Sequence, residues 1–400
     1  MSNIPKLRFP EFSGEWEEKK LSDFMTRLTR KNSNNESSRA LTISSVDGLI
    51  AQGEFFKKQT ASKDTSGYYL LKKGDFAYNK SYSVGYDYGS IKRLDRYEDG
   101  VVSTLYICMS LTSDTNSDYL THYFDSMKWN KSVSEISAEG ARNHGLLNIP
   151  TESFFQTKHF LAPTLAEQQK IADFLSNVDS IITAETKILN ILKKKKKALM
   201  QKLFTQQLRF KSDDGTDFPA WEEKKLGDVC ETYSGGTPKS GTAEYYGGEI
   251  PFIRSGEISS NKTELFLTEK GMENSSAKMV SKGDILYALY GANSGLCSIS
   301  KIDGAINQAI LCIKTNENKR FLCNYLQYQR EYFYSTYLQG GQGNLSGKLV
   351  ESFIIPLPCI VEQQKIADCL SSMDSLIQTQ QKVVTTWQQR KKALLQQMFI

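Results

Sequence analysis

The chain has 400 residues, 39% of them hydrophobic, enough for two or three packed domains. Its 50 Lys and Arg stand against 45 Asp and Glu, and the net +5 favours a polyanionic partner only if the basic groups cluster. The start, Met1-Ser2-Asn3-Ile4-Pro5-Lys6, lacks a secretory pattern, no run is apolar enough to span a membrane, and seven cysteines without a C-x-x-C pair beside three histidines argue against a metal site and fit a reducing cytoplasm.

In chain order, a lead-in of Leu7-Arg8-Phe9 and Trp16-Glu17-Glu18-Lys19-Lys20-Leu21 comes first. A globular stretch follows, in which Val101-Val102-Ser103-Thr104-Leu105-Tyr106-Ile107 reads as a strand and Tyr119-Leu120-Thr121-His122-Tyr123-Phe124 as a short helix. Over 163–207 the pattern predicts one long helix, with Ile171, Leu175, Val178, Ile182, Leu189, Leu192, Leu199 and Leu203 on one stripe. Thr164 and Glu167 predict a capping box at its start. The lead-in then returns as Leu208-Arg209-Phe210 and Trp221-Glu222-Glu223-Lys224-Lys225-Leu226. A second globular stretch contains the strand Ala309-Ile310-Leu311-Cys312-Ile313 and the helix Phe321-Leu322-Cys323-Asn324-Tyr325-Leu326. A second long helix, opened more weakly by Cys359, fills 358–400.

The chain is thus one unit written twice. At a shift of 195, positions 167–204 and 362–399 are identical at 19 of 38 residues without a gap. Both stripes break at the same places, Glu185 and Lys196 in one and Gln380 and Lys391 in the other, as a coiled-coil seam that specifies register would. Between the globular stretches only short blocks align. Gly74-Asp75-Phe76-Ala77-Tyr78 faces Gly283-Asp284-Ile285-Leu286-Tyr287, and Ile43-Ser44-Ser45 faces Ile253-Arg254-Ser255. The expected fold is α/β: two α/β domains, 1–162 and 208–357, separated by two antiparallel coiled-coil helices, 163–207 and 358–400, in a pseudo-two-fold arrangement. Each helix would span roughly 60 Å at about 1.5 Å per residue.

Catalytic signatures are missing. There is no Pro-Pro dipeptide for an amino-methyltransferase loop, no Pro followed by Asp for a common nuclease motif, and no G-x-S-x-G elbow. Gly347-Lys348 is followed by Leu349, so it is no P-loop. The expectation is a chain without a catalytic site.

Two unlike globular segments joined by near-identical helices that open with E-Q-Q-K-I-A-D resemble the type I restriction–modification specificity subunit, over essentially the whole chain. The resemblance rests on P-L-P-x-x-x-E-Q-Q-K-I-A at 356–367, on K-K-A-L near each helix end, and on Gly235-Gly236-Thr237-Pro238 followed by the run at 247–258. The first segment lacks that glycine block, and its 74–83 run is similar to another subclass of the family's target-recognition domains. The resemblance implies two domains that each read one half of a bipartite, asymmetric site on double-stranded DNA. It implies helices that set the spacing and dock two modification subunits, which bind S-adenosylmethionine and methylate adenine, with restriction translocase–nuclease subunits joining them. It implies no cofactor or metal in this chain, no membrane and a cytoplasmic location.

Base reading needs polar side chains on exposed loops. In the first domain the candidates are Asn79, Lys80, Ser81, Tyr82 and Tyr86, with Arg142, Asn143 and His144 on a second loop. In the second they are Tyr290 and Asn293, then Gln342 and Asn344, the last aligned with Asn143, with Thr237, Lys239, Arg254 and Ser255 as further contacts. The competing reading makes these loops turns whose polar groups satisfy local backbone. The lysine run at 193–197 reads more readily as a solvated helix face than as a phosphate contact. A coiled-coil scaffold for protein partners, without DNA binding, is the alternative function.

Overall fold

The computed structural model describes residues 3–56, 62, 64–112, 114–137, 147–337 and 344–400. Two compact units emerge, Met1–Lys187 with Lys382–Ile400, and Ile188–Gln381. The long helices are Leu165–Phe204 and Ile360–Met398, and each begins in one unit and ends in the other.

In the first unit an antiparallel sheet orders its strands Met25–Arg27, Ile107–Leu111, Phe76–Asn79, Ser90–Arg93. Strand alternation divides its side chains between two cores. Phe76, Tyr78, Ile107 and Met109 face the helix Ser117–Asp125, whereas Ala77 and Cys108 face Leu41, Leu49, Leu71 and Val102 of two flanking hairpins. The predicted strand at 101–107 is corrected here. Asp99–Val102 and Ile107–Leu111 are separate strands joined by a turn in which Tyr106 N–H donates to Ser103 O at 3.1 Å. Apolar content carried the reading, and Ser103 and Thr104 are the turn residues it passed over.

The second unit repeats this plan with the strand order Cys230–Ser234, Ile310–Thr315, Ile285–Ala288, Cys297–Ile299. Ile285, Tyr287, Leu311 and Ile313 face the helix Lys319–Tyr328, and Leu286, Ala288, Ile310 and Cys312 face the other way. Its other sheet differs, with the order Leu265–Leu267, Tyr246–Ile253, Gly304–Ile306, Lys278–Val280 and a parallel central pair.

The shared residues of the repeat build the frame. The lead-in strand Glu17–Lys20 pairs with Lys158–Leu161, just before the first long helix, and Glu222–Lys225 pairs with Ile354–Leu357 before the second. Buried Glu167 receives two bonds from Arg8, at 2.7 and 2.8 Å, and one from Trp16 Nε1 at 3.2 Å. Glu362 receives the same set from Arg209, at 3.1 and 2.8 Å, and from Trp221 at 3.1 Å. The capping box is therefore half formed. Thr164 Oγ1 accepts from Glu167 N–H at 3.2 Å, but the Glu167 carboxylate is committed to the lead-in.

The two glutamines that follow hold the helix-capping asparagines. Gln168 and Gln169 accept from the backbone and side chain of Asn116, at 2.8 and 2.6 Å, and Gln363 and Gln364 do the same for Asn318, at 2.9 and 2.7 Å. The E-Q-Q block thus joins lead-in, domain and long helix.

Within each unit the two long helices run antiparallel. Lys391 meets Asp179 at 2.7 Å in the first, and Lys196 meets Asp374 at 2.6 Å in the second. These pairs are images of one another at the shift of 195, so two polar interruptions of the seam are register-setting ion pairs.

Buried His159 accepts from Tyr123 O–H at Nδ1 and donates from Nε2 to Thr157 Oγ1, both at 2.8 Å, because that hydroxyl already donates to Phe154 O. Burial pushes its pKa down from 6.5 to about 3. Protonation therefore favours the unfolded state. The stabilising effect is complete above pH 6.5 and is lost progressively between there and about 3. The first unit should lose about 2 kcal/mol on acidification from pH 7 to about 5. The second unit, which contains no histidine, should show none of this. Unfolding midpoints against pH for the unaltered chain and His159→Gln test it, and an unchanged slope in the variant would contradict the assignment.

Candidate nucleic-acid interface

In the first unit Asn79, Lys80, Ser81, Tyr82 and Tyr86 form one continuous loop after the strand Phe76–Asn79. Asn79 Oδ1 accepts from Ser81 N–H at 3.0 Å, and Tyr86 N–H donates to Ser83 O at 2.8 Å, closing a tight hairpin. Gly89 has φ +77°, and a Cβ there would lie 2.0 Å from Asn79 O, so the loop closes only on glycine. The hairpin projects Val84, 90% exposed, and Tyr82, 55% exposed. Lys80 is half-buried, its pKa lowered by desolvation, and no carboxylate among the described residues lies within ion-pair distance of it. A partly dehydrated cation without a counter-charge beside an exposed ring is arranged for an anionic ligand. The ring of Tyr86 lies under Lys92, which is held by Asp125 at 2.7 Å.

Sequence reasoning missed Ser45, whose hydroxyl lies 3.1 Å from those of Ser83 and Ser90 and braces the loop. The aligned block Ile43-Ser44-Ser45 was the available signal. Arg142, Asn143 and His144 lie outside the described residues, as does Gln342 in the second unit.

The second unit gathers its candidates at the corresponding strand end. Leu289 N–H donates to Ala309 O at 2.8 Å, and Leu289 O accepts from Leu345 N–H at 2.9 Å, so Tyr290 and exposed Asn344 are neighbours. Thr237 Oγ1 donates to Gln308 Oε1 at 2.6 Å, next to Ala309, and Lys239 is exposed two residues on. A Cβ on Gly256 would lie 3.5 Å from Asn293 Nδ2, which sets the turn of Arg254 and Ser255 beside the loop. Gly235 and Gly236 sit so close to Ile306 O and Ser276 Oγ that a Cβ on either would come within 1.8 Å of them.

Two assignments change in meaning. Arg254 grips Glu257 with two bonds, at 3.1 and 2.9 Å, and reaches Glu264 at 2.5 Å. That guanidinium holds Glu257 down to about 2, and it approaches any phosphate with its charge already matched. The alignment of Asn143 with Asn344 also shifts. Lys80 O accepts from Leu147 N–H at 3.0 Å as Leu289 O does from Leu345, so Leu147 is the counterpart of Leu345. Unforeseen Arg330 braces the second loop, donating to Ser294 O at 3.0 Å and Ala292 O at 3.2 Å.

A duplicated frame thus spends its shared residues on holding two dissimilar loop sets. Residues 220–386 match the family described as type I restriction modification DNA specificity domain. The putative type I restriction enzyme MjaX specificity subunit of Methanocaldococcus jannaschii is 29% identical over 291 residues, 69% of this chain and 65% of that protein. The MjaIX specificity subunit of the same organism is 31% identical over 192 residues, 45% of this chain and 44% of its own length. The chain thus aligns with less than two thirds of either relative. A type I restriction–modification S subunit from M. genitalium shares the fold, with a TM-score of 0.56 over 99% of both chains at 14% identity. Residues 220–386 thus match that family's domain, and the chain is similar to type I restriction enzyme specificity subunits. No described helix is long and apolar enough to cross a membrane.

Proposed function

We propose that this chain is the DNA-reading subunit of a cytoplasmic type I restriction–modification complex and carries no catalytic site of its own. Residues 1–162 and 208–357 act as target-recognition domains, each reading one half of a bipartite, asymmetric site on double-stranded DNA. The helices at 163–207 and 358–400 set the spacing and dock two modification subunits, where S-adenosylmethionine is bound and adenine methylated. Restriction translocase–nuclease subunits complete the assembly.

The observation that carries this reading is the contrast between frame and loops. Arg8–Glu167 and Arg209–Glu362 repeat bond for bond, whereas the loops at 79–86 and 290–294 differ in length and in residue order, and only the first carries a lysine. Unlike readers on a common mount suit unlike half-sites. Arg142, Asn143, His144 and Gln342 join the base-reading set with the described candidates.

Co-expression with the cognate modification subunit, followed by mapping of methylated adenines, tests the function. A non-palindromic two-part motif that vanishes without this chain is the expected result. Complex formation without methylation would favour the protein scaffold. Tyr82→Ala with Lys80→Ala should weaken methylation about tenfold or more by removing a stacking ring and an uncompensated cation. Methylation rates on duplexes altered in one half-site at a time should assign that loss to a single half.

A further inference from the structure

The second unit contains a cleft of about 930 Å³ on the helix side of its loop, where Lys193, Lys197 and Gln201 line one wall and Gly291, Ala292 and Arg330 the other. Lys193 and Lys197 are exposed, and no carboxylate among the described residues comes within ion-pair distance of either. Glu331 lines the cleft but pairs with neither lysine.

The first unit makes different contacts at the corresponding position. At the shift of 195 the counterparts of Lys193, Lys196, Lys197 and Gln201 are Gln388, Lys391, Lys392 and Gln396, so one of the two cleft lysines is kept and the other is replaced. There Gln396 donates to Ser126 O at 2.7 Å, and Lys391 lies 3.8 Å from Asp125 as well as 2.7 Å from Asp179. Counting from the capping residues Asn116 and Asn318, Asp125 corresponds to Gln327 and Ser126 to Tyr328. The carboxylate that helps neutralise Lys391 therefore has no counterpart beside Lys196, whose ion pair among the described residues is with Asp374 alone. Where the first unit has Gln388 and Asp125, the second has Lys193 and Gln327, and its cleft is lined by two lysines with no carboxylate partner among the described residues.

We propose that Lys193 and Lys197 grip the DNA phosphate backbone beside the half-site read by the second unit, a two-lysine positioning contact that the first unit, with Gln388 in place of the first lysine, does not repeat. This rests on the DNA-reading function proposed above. Phosphate contacts of this kind fix register on the duplex and carry no base preference. Each neutralised phosphate adds about 0.9 to the slope of log affinity against log salt. The lysine run is thus divided by function: Lys196 sets helix register, Lys193 and Lys197 hold phosphate, and exposed Lys194 and Lys195, which do not line the cleft, face solvent.

The test is fluorescence anisotropy of the full chain on a mixed-sequence duplex of about 40 base pairs, with KCl varied from about 50 to 200 mM. The double variant Lys193→Ala with Lys197→Ala should lower the salt slope by about 1.8, and Lys194→Ala with Lys195→Ala by less than half as much. Binding with an unchanged slope, or equal losses in both variants, would overturn the phosphate contact and leave the DNA-reading function standing. Failure of the unaltered chain to bind the duplex at about 50 mM KCl would overturn both.

Discussion

Glu362→Ala should destabilise the second unit by about 3 kcal/mol, the low end of the range for breaking a buried ion pair. The carboxylate is fully buried, whereas Arg209 keeps part of its side chain in solvent and its bonds to Phe218 O and Pro219 O. The variant therefore strands a guanidinium with partial hydration and leaves Trp221 Nε1 without its acceptor. Glu362→Gln should cost less, since an amide oxygen still serves the indole. Urea unfolding followed at the second unit is the measurement. A loss below about 1 kcal/mol would mean that the lead-in is held by its strand pairing with Ile354–Leu357 and not by this contact.

Phe399→Ala should cost about 3–5 kcal/mol, the usual range for removing a buried aromatic. The damage should appear in the first unit. The ring is 1% exposed and packs against Tyr119 at 5.4 Å, Tyr123 at 5.7 Å and Trp16 at 6.1 Å. Its image Phe204 fills the same place in the second unit, 5.7 Å from Phe321 and 5.4 Å from Tyr325. Hydrogen exchange in Phe399→Ala should rise in Ser117–Asp125 and stay unchanged in Lys319–Tyr328, with the reverse in Phe204→Ala. Equal effects in both units would contradict this distribution of the helix ends.

What the sequence revealed and what it hid follow from the range of the interactions involved. The long helices were legible because their stripes are local and written twice. The matched polar breaks at Lys196 and Lys391 announced register pairs, although the partners Asp374 and Asp179 needed coordinates. The role of Glu167 was misassigned, since a capping box is a local pattern and Arg8 reaches the carboxylate across 159 positions. Arg254 looked like a free cation for the same reason: Glu264 lies ten residues away, and only the folded turn brings it within reach. Among the loops, composition located the stretch at 79–86, but it does not reveal that Ser45 braces it or that Lys80 has no carboxylate within ion-pair distance among the described residues. The lysines at 193 and 197 were hardest to read, because only the fold shows that they line a cleft beside the loop at 290–294 and that Lys196 between them is spent on Asp374.

Each long helix starts in one unit and finishes in the core of the other, and this imposes an order on the birth of the protein. The first unit's core includes Leu395, Met398 and Phe399, so it stays open until residue 399 has been made. The second unit takes the stretch 188–204 from the first helix, synthesised before most of its own sheet. The second unit, whose last residue is Gln381, can therefore close before the first. A product terminated before residue 395 would lack a closed first core.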